Sequence, residues 1–256
     1  MPHSGATNTA KPKSEKTPSF RLLAFLAIPF MEVIGSYEID GRENIPAEGA
    51  FVLAPNHFSN IDPLVVGLSM YKTGRMPRYF AKASLFTVPV LGWFLRATEQ
   101  VPVERSGRTR TNDPLAAARQ ISQKGHAIVV YPEGSLTRDP DLWPMRGKSG
   151  AVRIALEQGI PIIPAAHWGT QQLMDLRTNR IRLFPRKKVR VRFGKPVDLS
   201  AFRGKPVDSV VLSAATAVTM HAITAVLEEL RGEKAPVERW DPVKHNQTEI
   251  GRIEPR

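Results

Sequence analysis

One histidine and one aspartate lie at a spacing that favours proton-transfer chemistry. His57 and Asp62 are separated by four residues, in a polar segment between an apolar run at 51–54 and Pro63. If this segment curls through a turn, the Asp62 carboxylate reaches one ring nitrogen of His57, and the other nitrogen can take a proton from a hydroxyl. The same residues fit a simpler hypothesis, in which Asp62 caps a helix beginning at Pro63 and His57 is a turn residue.

Other kinds of catalytic site have little support in the sequence. The chain has no cysteine, which excludes disulfides, thiolate metal ligands and a covalent thioester on the enzyme. Its other histidines are scattered and form no ligand pair at helical spacing, so we expect no metal site and no cofactor. The dipeptide Gly134-Ser135 lacks the Gly-x-Ser-x-Gly elbow of serine hydrolases.

Short apolar runs alternate with helical patterns from residue 36 onward, which is typical of an α/β fold. Strands are predicted at 36–40, 51–54, 78–81, 100–103, 127–131, 161–166 and 189–193. Helices are predicted at 63–70, 112–123, 148–157 and 207–230. The turn that holds His57 follows a predicted strand, at the position where α/β folds place active sites.

The two ends of the chain differ in composition from this α/β region, residues 36–231. Residues 1–19 and 232–256 are polar and are predicted to be a disordered tail and a loose C-terminal tail. Residues 20–35 begin with an apolar run at 20–31, shorter than the ~17–25 residues that span a bilayer. They are predicted to form either a helix lying in the membrane interface or a helix packed on the core.

The formal net charge of +12 indicates an anionic partner. Much of the excess lies between Arg177 and Lys195, where a solvated basic face is the simplest interpretation. A phospholipid surface, coenzyme A phosphates, an acidic carrier protein or nucleic acid would each fit the charge. Because no helix-turn-helix, zinc-finger or ribonucleoprotein pattern accompanies it, we expect no nucleic-acid partner.

Four sequence blocks occur in the order found in the glycerolipid acyltransferases, the lysophosphatidic acid acyltransferase family. The segment Asn56-His57-x4-Asp62 resembles the first block of that family. Residues 82–92, followed by 101–105, resemble the second, residues 131–135 the Pro-Glu-Gly block, and residues 160–165 the final hydrophobic block. Each block is weak alone, but the four in order make the resemblance specific.

The resemblance implies a fold class, a reaction and a location. The fold would be a single α/β domain like that of glycerol-3-phosphate (1)-acyltransferase, with a mixed, largely parallel sheet flanked by helices and an additional N-terminal apolar helix. The reaction would carry a fatty acyl group from acyl-CoA or acyl-ACP to the hydroxyl of a lysophospholipid such as 1-acyl-glycerol 3-phosphate. Glycerol 3-phosphate or another lysophospholipid are alternative acceptors, and a non-catalytic basic protein that binds anionic membranes or nucleic acid is the alternative of another class. The protein would sit on the cytoplasmic face of the cell membrane, as a peripheral or monotopic protein on its anionic surface.

The resemblance also implies residue roles. His57 and Asp62 would be catalytic, as general base and orienting carboxylate. The predicted substrate-binding residues are Asn56, Lys82, Arg105, Glu133, Gly134, Ser135 and Arg138, with the basic ones holding the acceptor's phosphate. The family usually has an arginine shortly after the glycine, whereas Ser135-Leu136-Thr137 delay it here until Arg138. The predicted walls of an acyl groove are Leu85, Phe86, Val88, Val90, Leu91, Trp93, Phe94 and Leu95.

Overall fold

Seven strands form one sheet in the computed structural model, which describes residues 15–103, 113–176 and 178–249. The strands are β1 (Gly35–Asp40), β2 (Phe51–Pro55), β3 (Pro77–Lys82), β4 (Val101–Val103), β5 (Ala127–Val129), β6 (Ile162–Trp168) and β7 (Lys187–Phe193). Their order across the sheet is β1-β7-β6-β2-β5-β3-β4. All neighbours are parallel except β6 and β7, which are antiparallel. The predicted mixed, largely parallel sheet is confirmed.

Helices cover both faces of this sheet. They are α1 (Pro18–Ile34), α2 (Asp62–Thr73), α3 (Pro89–Ala97), α4 (Pro114–Gln123), α5 (Gly150–Gln158), α6 (Thr170–Leu173) and α7 (Ser209–Arg231). Core residues of α1 and α2 belong to one apolar cluster, and core residues of α4, α5 and the first part of α7 belong to a second. The last part of α7 packs in a third cluster, with Trp143. Every residue of β2 is buried between these layers, which explains its continuous apolar sequence.

Five parallel strands end at the edge of the sheet where the polar residues gather. Strands β2, β3, β4, β5 and β6 run in one direction, so their carboxyl ends lie side by side. After β2 the chain turns and enters α2, with Pro63 in the first turn, where a missing backbone N–H costs nothing. This edge therefore holds the predicted His57 turn.

The N-terminal helix begins earlier than predicted, and residues 15–19 are not a free tail. The Thr17 hydroxyl caps α1 by accepting a hydrogen bond from the backbone N–H of Phe20. The Glu15 carboxylate pairs with Arg75 at 2.5 Å and with Arg78 at 2.7 Å. Both arginines are buried, so Glu15 neutralises charges that would otherwise be costly to bury. The rest of the predicted tail, residues 1–14, lies outside the described residues.

The C-terminal residues 232–249 are also ordered against the domain, contrary to the predicted loose tail. The backbone N–H of Arg146 donates to the Trp240 carbonyl at 2.9 Å, and the Trp240 ring stacks on His245. A stretch rich in proline and polar residues thus packs through backbone bonds and one aromatic pair, neither of which its composition indicates.

Within the described residues, α7 is the one helix long and apolar enough to cross a membrane by length and composition. It lies near the C-terminus, and nearly half of its most apolar stretch is buried in the fold. Its buried side chains, including Ala215 and Ile223, pack in the second apolar cluster, as expected for a core helix. With 17 residues, α1 is shorter.

Candidate active site

The side chains of His57 and Asp62 are in direct contact. The Nδ1 atom of His57 lies 3.0 Å from Oδ2 of Asp62. The same carboxylate oxygen accepts the backbone N–H groups of Phe58 and Ser59, each at 2.8 Å. These two bonds curl the segment between β2 and α2 into the turn that the His57–Asp62 contact requires. The predicted pairing is therefore present, and Asp62 is the first residue of α2 rather than only a cap before it.

The surroundings of Asp62 keep its carboxylate ionised. Burial by itself would raise the pKa of Asp62, but the electrostatic attraction of His167 and His57 and the hydrogen bonds from His57 and Thr170 outweigh it and lower the pKa below its usual value. An ionised Asp62 can only accept, so Nδ1 of His57 carries the proton and donates it. The other ring nitrogen, Nε2, is then the basic atom of His57.

A second, fully buried histidine supports the turn from behind. His167, at the end of β6, places Nε2 2.9 Å from the Asn56 carbonyl and 3.6 Å from the Asp62 carboxylate. The Asn56 side chain bonds both backbone groups of His167 through its amide and its carbonyl oxygen. Burial lowers the pKa of His167. Because a carbonyl oxygen can only accept, Nε2 of His167 donates its proton to the Asn56 carbonyl. Asn56 therefore joins β2 to β6 in this structure, and its predicted contact with substrate stays a prediction.

The Pro-Glu-Gly loop, residues 132–148, clamps the backbone of His57 at both ends. Oε1 of Glu133 accepts the His57 N–H at 2.8 Å, and the Thr137 N–H donates to the His57 carbonyl at 2.7 Å. The second oxygen of Glu133 accepts the Met145 N–H at 3.0 Å. Both Glu133 oxygens are thus occupied by backbone groups, and the predicted substrate contact of Glu133 stays a prediction. Burial raises the pKa of Glu133 to about 8.

His57 lies at the wall of an apolar cavity of about 660 Å³. The cavity runs between α1, α2 and α3, and its lining includes Ala24, Leu64, Gly67 and Tyr79. Its size and apolar lining suit a long hydrocarbon chain whose reactive end lies beside the histidine. The predicted N-terminal apolar helix, α1, therefore forms part of the site.

About half of the predicted groove residues line this cavity. The lining ones are Leu85, Leu91, Phe94 and Leu95, whereas Phe86, Val88, Val90 and Trp93 are not part of it. Phe86 and Val88 precede α3, and α3 itself is amphipathic, with only one side facing inward. Val90 and Trp93, on the other side, are strongly exposed.

The predicted basic and small residues divide into two groups. Lys82, at the end of β3, and Gly134 line the cavity with His57. Ser135 and Arg138 are buried away from it, where the Ser135 hydroxyl donates to the Glu249 carbonyl and Nε of Arg138 to the Thr248 carbonyl. Arg105 lies outside the described residues, and its phosphate-binding role stays a prediction.

Two further residues of the site were not found from the sequence. His167 has no other histidine at a ligand spacing, and the one sequence signal for it is its position at the end of a predicted strand. Tyr131 stacks its ring on His57, with centroids 4.1 Å apart. No pattern in the sequence indicated that contact. Among the residues that the structure describes, no group of three or more His, Asp or Glu side chains is placed to hold a metal ion.

The arrangement is suited to removing a proton from a hydroxyl that enters the cavity. Asp62 fixes the tautomer of His57 and would stabilise the imidazolium that forms. The backbone clamps at Glu133 and Thr137 hold the ring in position, so little reorganisation is needed at the moment of reaction.

Comparison with known proteins agrees with this geometry. The family model described as Acyltransferase matches residues 36–168. A chloroplastic 1-acyl-sn-glycerol-3-phosphate acyltransferase from Brassica napus is 29% identical over 161 residues, which are 62% of this chain and 44% of that protein. The 1-acyl-sn-glycerol-3-phosphate acyltransferase of Bacillus subtilis is 28% identical over 177 residues, which are 67% of this chain and 79% of the B. subtilis protein.

The fold is also shared with a solved structure. The crystal structure of the 1-acyl-sn-glycerophosphate acyltransferase PlsC from Thermotoga maritima matches with a TM-score of 0.62 and 24% identity. The match covers 89% of this chain and 86% of that one, and it supports the fold. The matched region spans less than half the length of several curated relatives from plants and yeast. Because the family model covers more than half of the sequence, the chain belongs to the Acyltransferase family of enzymes.

Proposed function

We propose that this protein transfers a fatty acyl group from a thioester donor to the free hydroxyl of 1-acyl-glycerol 3-phosphate, forming phosphatidic acid. The observation that carries the proposal is the His57–Asp62 pair at the wall of an apolar cavity. The names of the relatives from B. napus and B. subtilis support this acceptor. Acyl-CoA and acyl-ACP are both compatible donors. Glycerol 3-phosphate and other lysophospholipids are the alternative acceptors.

The reaction proceeds in two steps at His57. Nε2 takes the proton of the acceptor hydroxyl as its oxygen attacks the thioester carbonyl carbon. The tetrahedral intermediate then collapses, the carbon–sulfur bond breaks, and the leaving thiolate takes the proton from the imidazolium. Asp62 remains ionised throughout and stabilises the cationic ring. No covalent acyl-enzyme forms, in keeping with the absence of cysteine.

We further propose that Lys82 and Arg105 attract the acceptor's phosphate. Lys82 lines the cavity that contains His57 and extends from the carboxyl end of β3. Arg105 follows β4, the neighbouring parallel strand, by two residues in the sequence. Parallel neighbours end at the same edge of the sheet, so β4 ends at the edge where Lys82 lies, with Lys82 paired to Val103.

The proposed location is the cytoplasmic face of the cell membrane, as a peripheral or monotopic protein. One side of α1 presents large apolar side chains to solvent, with Phe25 75% and Val33 59% exposed. The other side of the same helix lines the cavity. A helix that is apolar on both sides suits the interface between the protein and lipid. Basic side chains of β7, such as Lys188 and Arg190, add attraction to anionic headgroups.

Thiol release and lipid product analysis test the proposed reaction. Purified protein is supplied with palmitoyl-CoA or palmitoyl-ACP and with a panel of acceptors: 1-acyl-glycerol 3-phosphate, glycerol 3-phosphate, lysophosphatidylinositol and monoacylglycerol. We expect phosphatidic acid from the first acceptor, at the highest kcat/KM of the panel. A higher kcat/KM with any other acceptor would replace the proposed substrate and leave the His57 mechanism intact.

A further inference from the structure

The C-terminal residues pack onto the Pro-Glu-Gly loop through one acidic residue, Glu249. The Glu249 carbonyl accepts the Ser135 hydroxyl at 2.5 Å. Its carboxylate contacts Nη2 of Arg146 and lies 3.3 Å from Nζ of Lys148. Arg146 also lies 3.7 Å from the Asp241 carboxylate. The carboxylate of Glu249 is thus held between two cationic side chains of the loop, Arg146 and Lys148.

These two cations stand at the border of the active site. The Lys148 N–H donates to the Pro132 carbonyl at 2.7 Å, which ties it to the start of the loop. A Cβ atom at Gly134 would lie 2.9 Å from Cδ of Lys148, so the lysine stem occupies the space beside this glycine. Gly134 lines the cavity together with His57. A ligand held by Arg146 and Lys148 would therefore lie next to the cavity.

The contact with Glu249 is of a kind that a stronger anion can replace. The side chains of Arg146 and Lys148 are 52% and 44% exposed, and ion pairs in water at such exposure are weak. A phosphate monoester carries up to two negative charges and three acceptor oxygens, against one charge and two oxygens for a carboxylate. The same pair of cations therefore suits a phosphate better than it suits Glu249.

We propose that Arg146 and Lys148 form a phosphate-monoester subsite that adds to the attraction of Lys82 for the acceptor, and that Glu249 occupies this subsite until the acceptor displaces it. The inference rests on the proposed function for the identity of the acceptor. Arg146 and Lys148 lie outside the four sequence blocks. The C-terminal residues, through Glu249, would compete with the acceptor's phosphate for these two cations.

Kinetics with two acceptors test the subsite. Glu249→Gln should lower the KM for 1-acyl-glycerol 3-phosphate by about 1.5–5-fold with little change in kcat, because it removes a competing charge from a partly exposed ion pair. The double variant Arg146→Gln/Lys148→Gln should raise the same KM by about 10-fold or more. Neither change should alter the KM for monoacylglycerol. The control is Glu238→Gln, which removes an exposed carboxylate whose ion-pair partner is Lys244.

The two effects should also be coupled. In the Arg146→Gln/Lys148→Gln background, Glu249→Gln should no longer lower the KM for the phosphorylated acceptor. Equal KM changes with both acceptors, or an unchanged Glu249→Gln effect in that background, would overturn the subsite.

Binding of inorganic phosphate tests the subsite without catalysis. In thermal unfolding with increasing phosphate, Glu249→Gln should gain stability at lower concentrations than the wild type. The Arg146→Gln/Lys148→Gln protein should gain less stability with phosphate than either the wild type or Glu249→Gln. Circular dichroism checks that this variant is folded. The same response in all three proteins would overturn the subsite. If the wild type acylates no acceptor but shows the expected phosphate response, the proposed function fails while the anion subsite stands.

Discussion

A single oxygen atom organises the catalytic turn. Oδ2 of Asp62 accepts hydrogen bonds from Nδ1 of His57 and from the backbone N–H groups of Phe58 and Ser59. The carboxylate that orients the base therefore also shapes the loop that carries it. Catalysis and local folding depend on the same buried charge.

The first prediction concerns this pair. His57→Ala should lower kcat by about 10²–10⁴-fold and leave a folded protein, because the general base is lost while the turn is still held by Asp62. Asp62→Asn should be damaging in activity and also in stability, since it removes the charge that three donors share. Both are measured by thiol release and by urea unfolding. Full activity in a folded His57→Ala protein would contradict the mechanism.

The second prediction concerns the pH dependence of stability at Glu133. Burial raises its pKa to about 8 in the folded protein, against an ordinary value of 4.5. The folded state thus binds the proton more tightly, so the contribution of Glu133 to stability is full below pH 4.5 and is lost as the pH rises towards 8. Glu133→Gln cannot titrate. The free energy of unfolding of the wild type should therefore fall relative to that of Glu133→Gln between pH 5 and pH 8.

Urea unfolding of both proteins at several pH values measures this difference. A difference that does not change with pH would mean that Glu133 ionises near its ordinary pKa. Activity of Glu133→Gln should also fall, because the NH2 group of the amide cannot accept the backbone N–H that one of the two Glu133 oxygens accepts.

At the scale of elements, the cavity is defined by how α1 and α2 approach the sheet. Gly67 of α2 lines the cavity and has the Tyr79 hydroxyl as its closest neighbour, 3.4 Å from where a Cβ would lie. A side chain at this position would extend into space that the acyl chain needs.

The third prediction is that Gly67→Leu shortens the acyl chain that the protein accepts. Displacing two to three methylenes, at about 0.8 kcal/mol each, should lower kcat/KM for a palmitoyl donor by about 15–60-fold and leave an octanoyl donor nearly unaffected. The matched control is Gly150→Leu at the start of α5, where no atom lies within 4 Å of the added Cβ. Equal losses with both donors would show damage to the fold rather than a shorter cavity.

The fourth prediction concerns the outer side of α1. Phe25→Ser should weaken binding to anionic vesicles by about 10-fold or more, because an exposed phenyl ring would be buried in lipid. Thermal stability should change little, since Phe25 makes few contacts with the core. Vesicle co-sedimentation measures the effect, and Val210→Ser on α7 is the control, an exposed apolar residue on the opposite layer. Equal losses in both variants would remove α1 as the docking element.

At the scale of the whole molecule, charge and chemistry are separated. The net charge of +12 is concentrated partly on β7, at the opposite side of the sheet from β3 and β4. The chemistry, by contrast, lies at the carboxyl ends of the central strands. The basic strand can therefore attract an anionic surface without taking part in acyl transfer.

The fifth prediction is that acyl transfer survives EDTA and thiol-alkylating reagents. The chain has no cysteine, and the proposed steps use only the imidazole of His57 and the carboxylate of Asp62. The measurement detects the acylated lipid product itself rather than the released thiol. The acceptor is a soluble short-chain one, so that ions needed by lipid aggregates play no part. Loss of activity on chelation, with recovery on adding a divalent ion, would require a different mechanism.

The strands of the sheet, most helices and the His57–Asp62 pair follow from local sequence patterns. The strands follow from local apolar runs, and the observed bounds differ from the predicted ones by a few residues at the ends. The His57–Asp62 contact spans only five residues, so the proline and the polar turn between strand and helix were enough to predict it. The helix α3 was not predicted, because its apolar residues were interpreted only as groove walls.

The distant residues that complete the site are brought together by the folding of the whole domain. Glu133 reaches the His57 backbone across 76 positions, and Asn56 bonds His167 across 111. The order of strands in the sheet creates these contacts, and no local pattern of apolar and polar residues encodes a partner so far along the chain. The same reason explains residues 15–19 and 232–249, whose polar composition predicts tails. Their buried ion pairs and backbone hydrogen bonds exist only because the folded domain presents Arg75, Arg78 and the Pro-Glu-Gly loop to them.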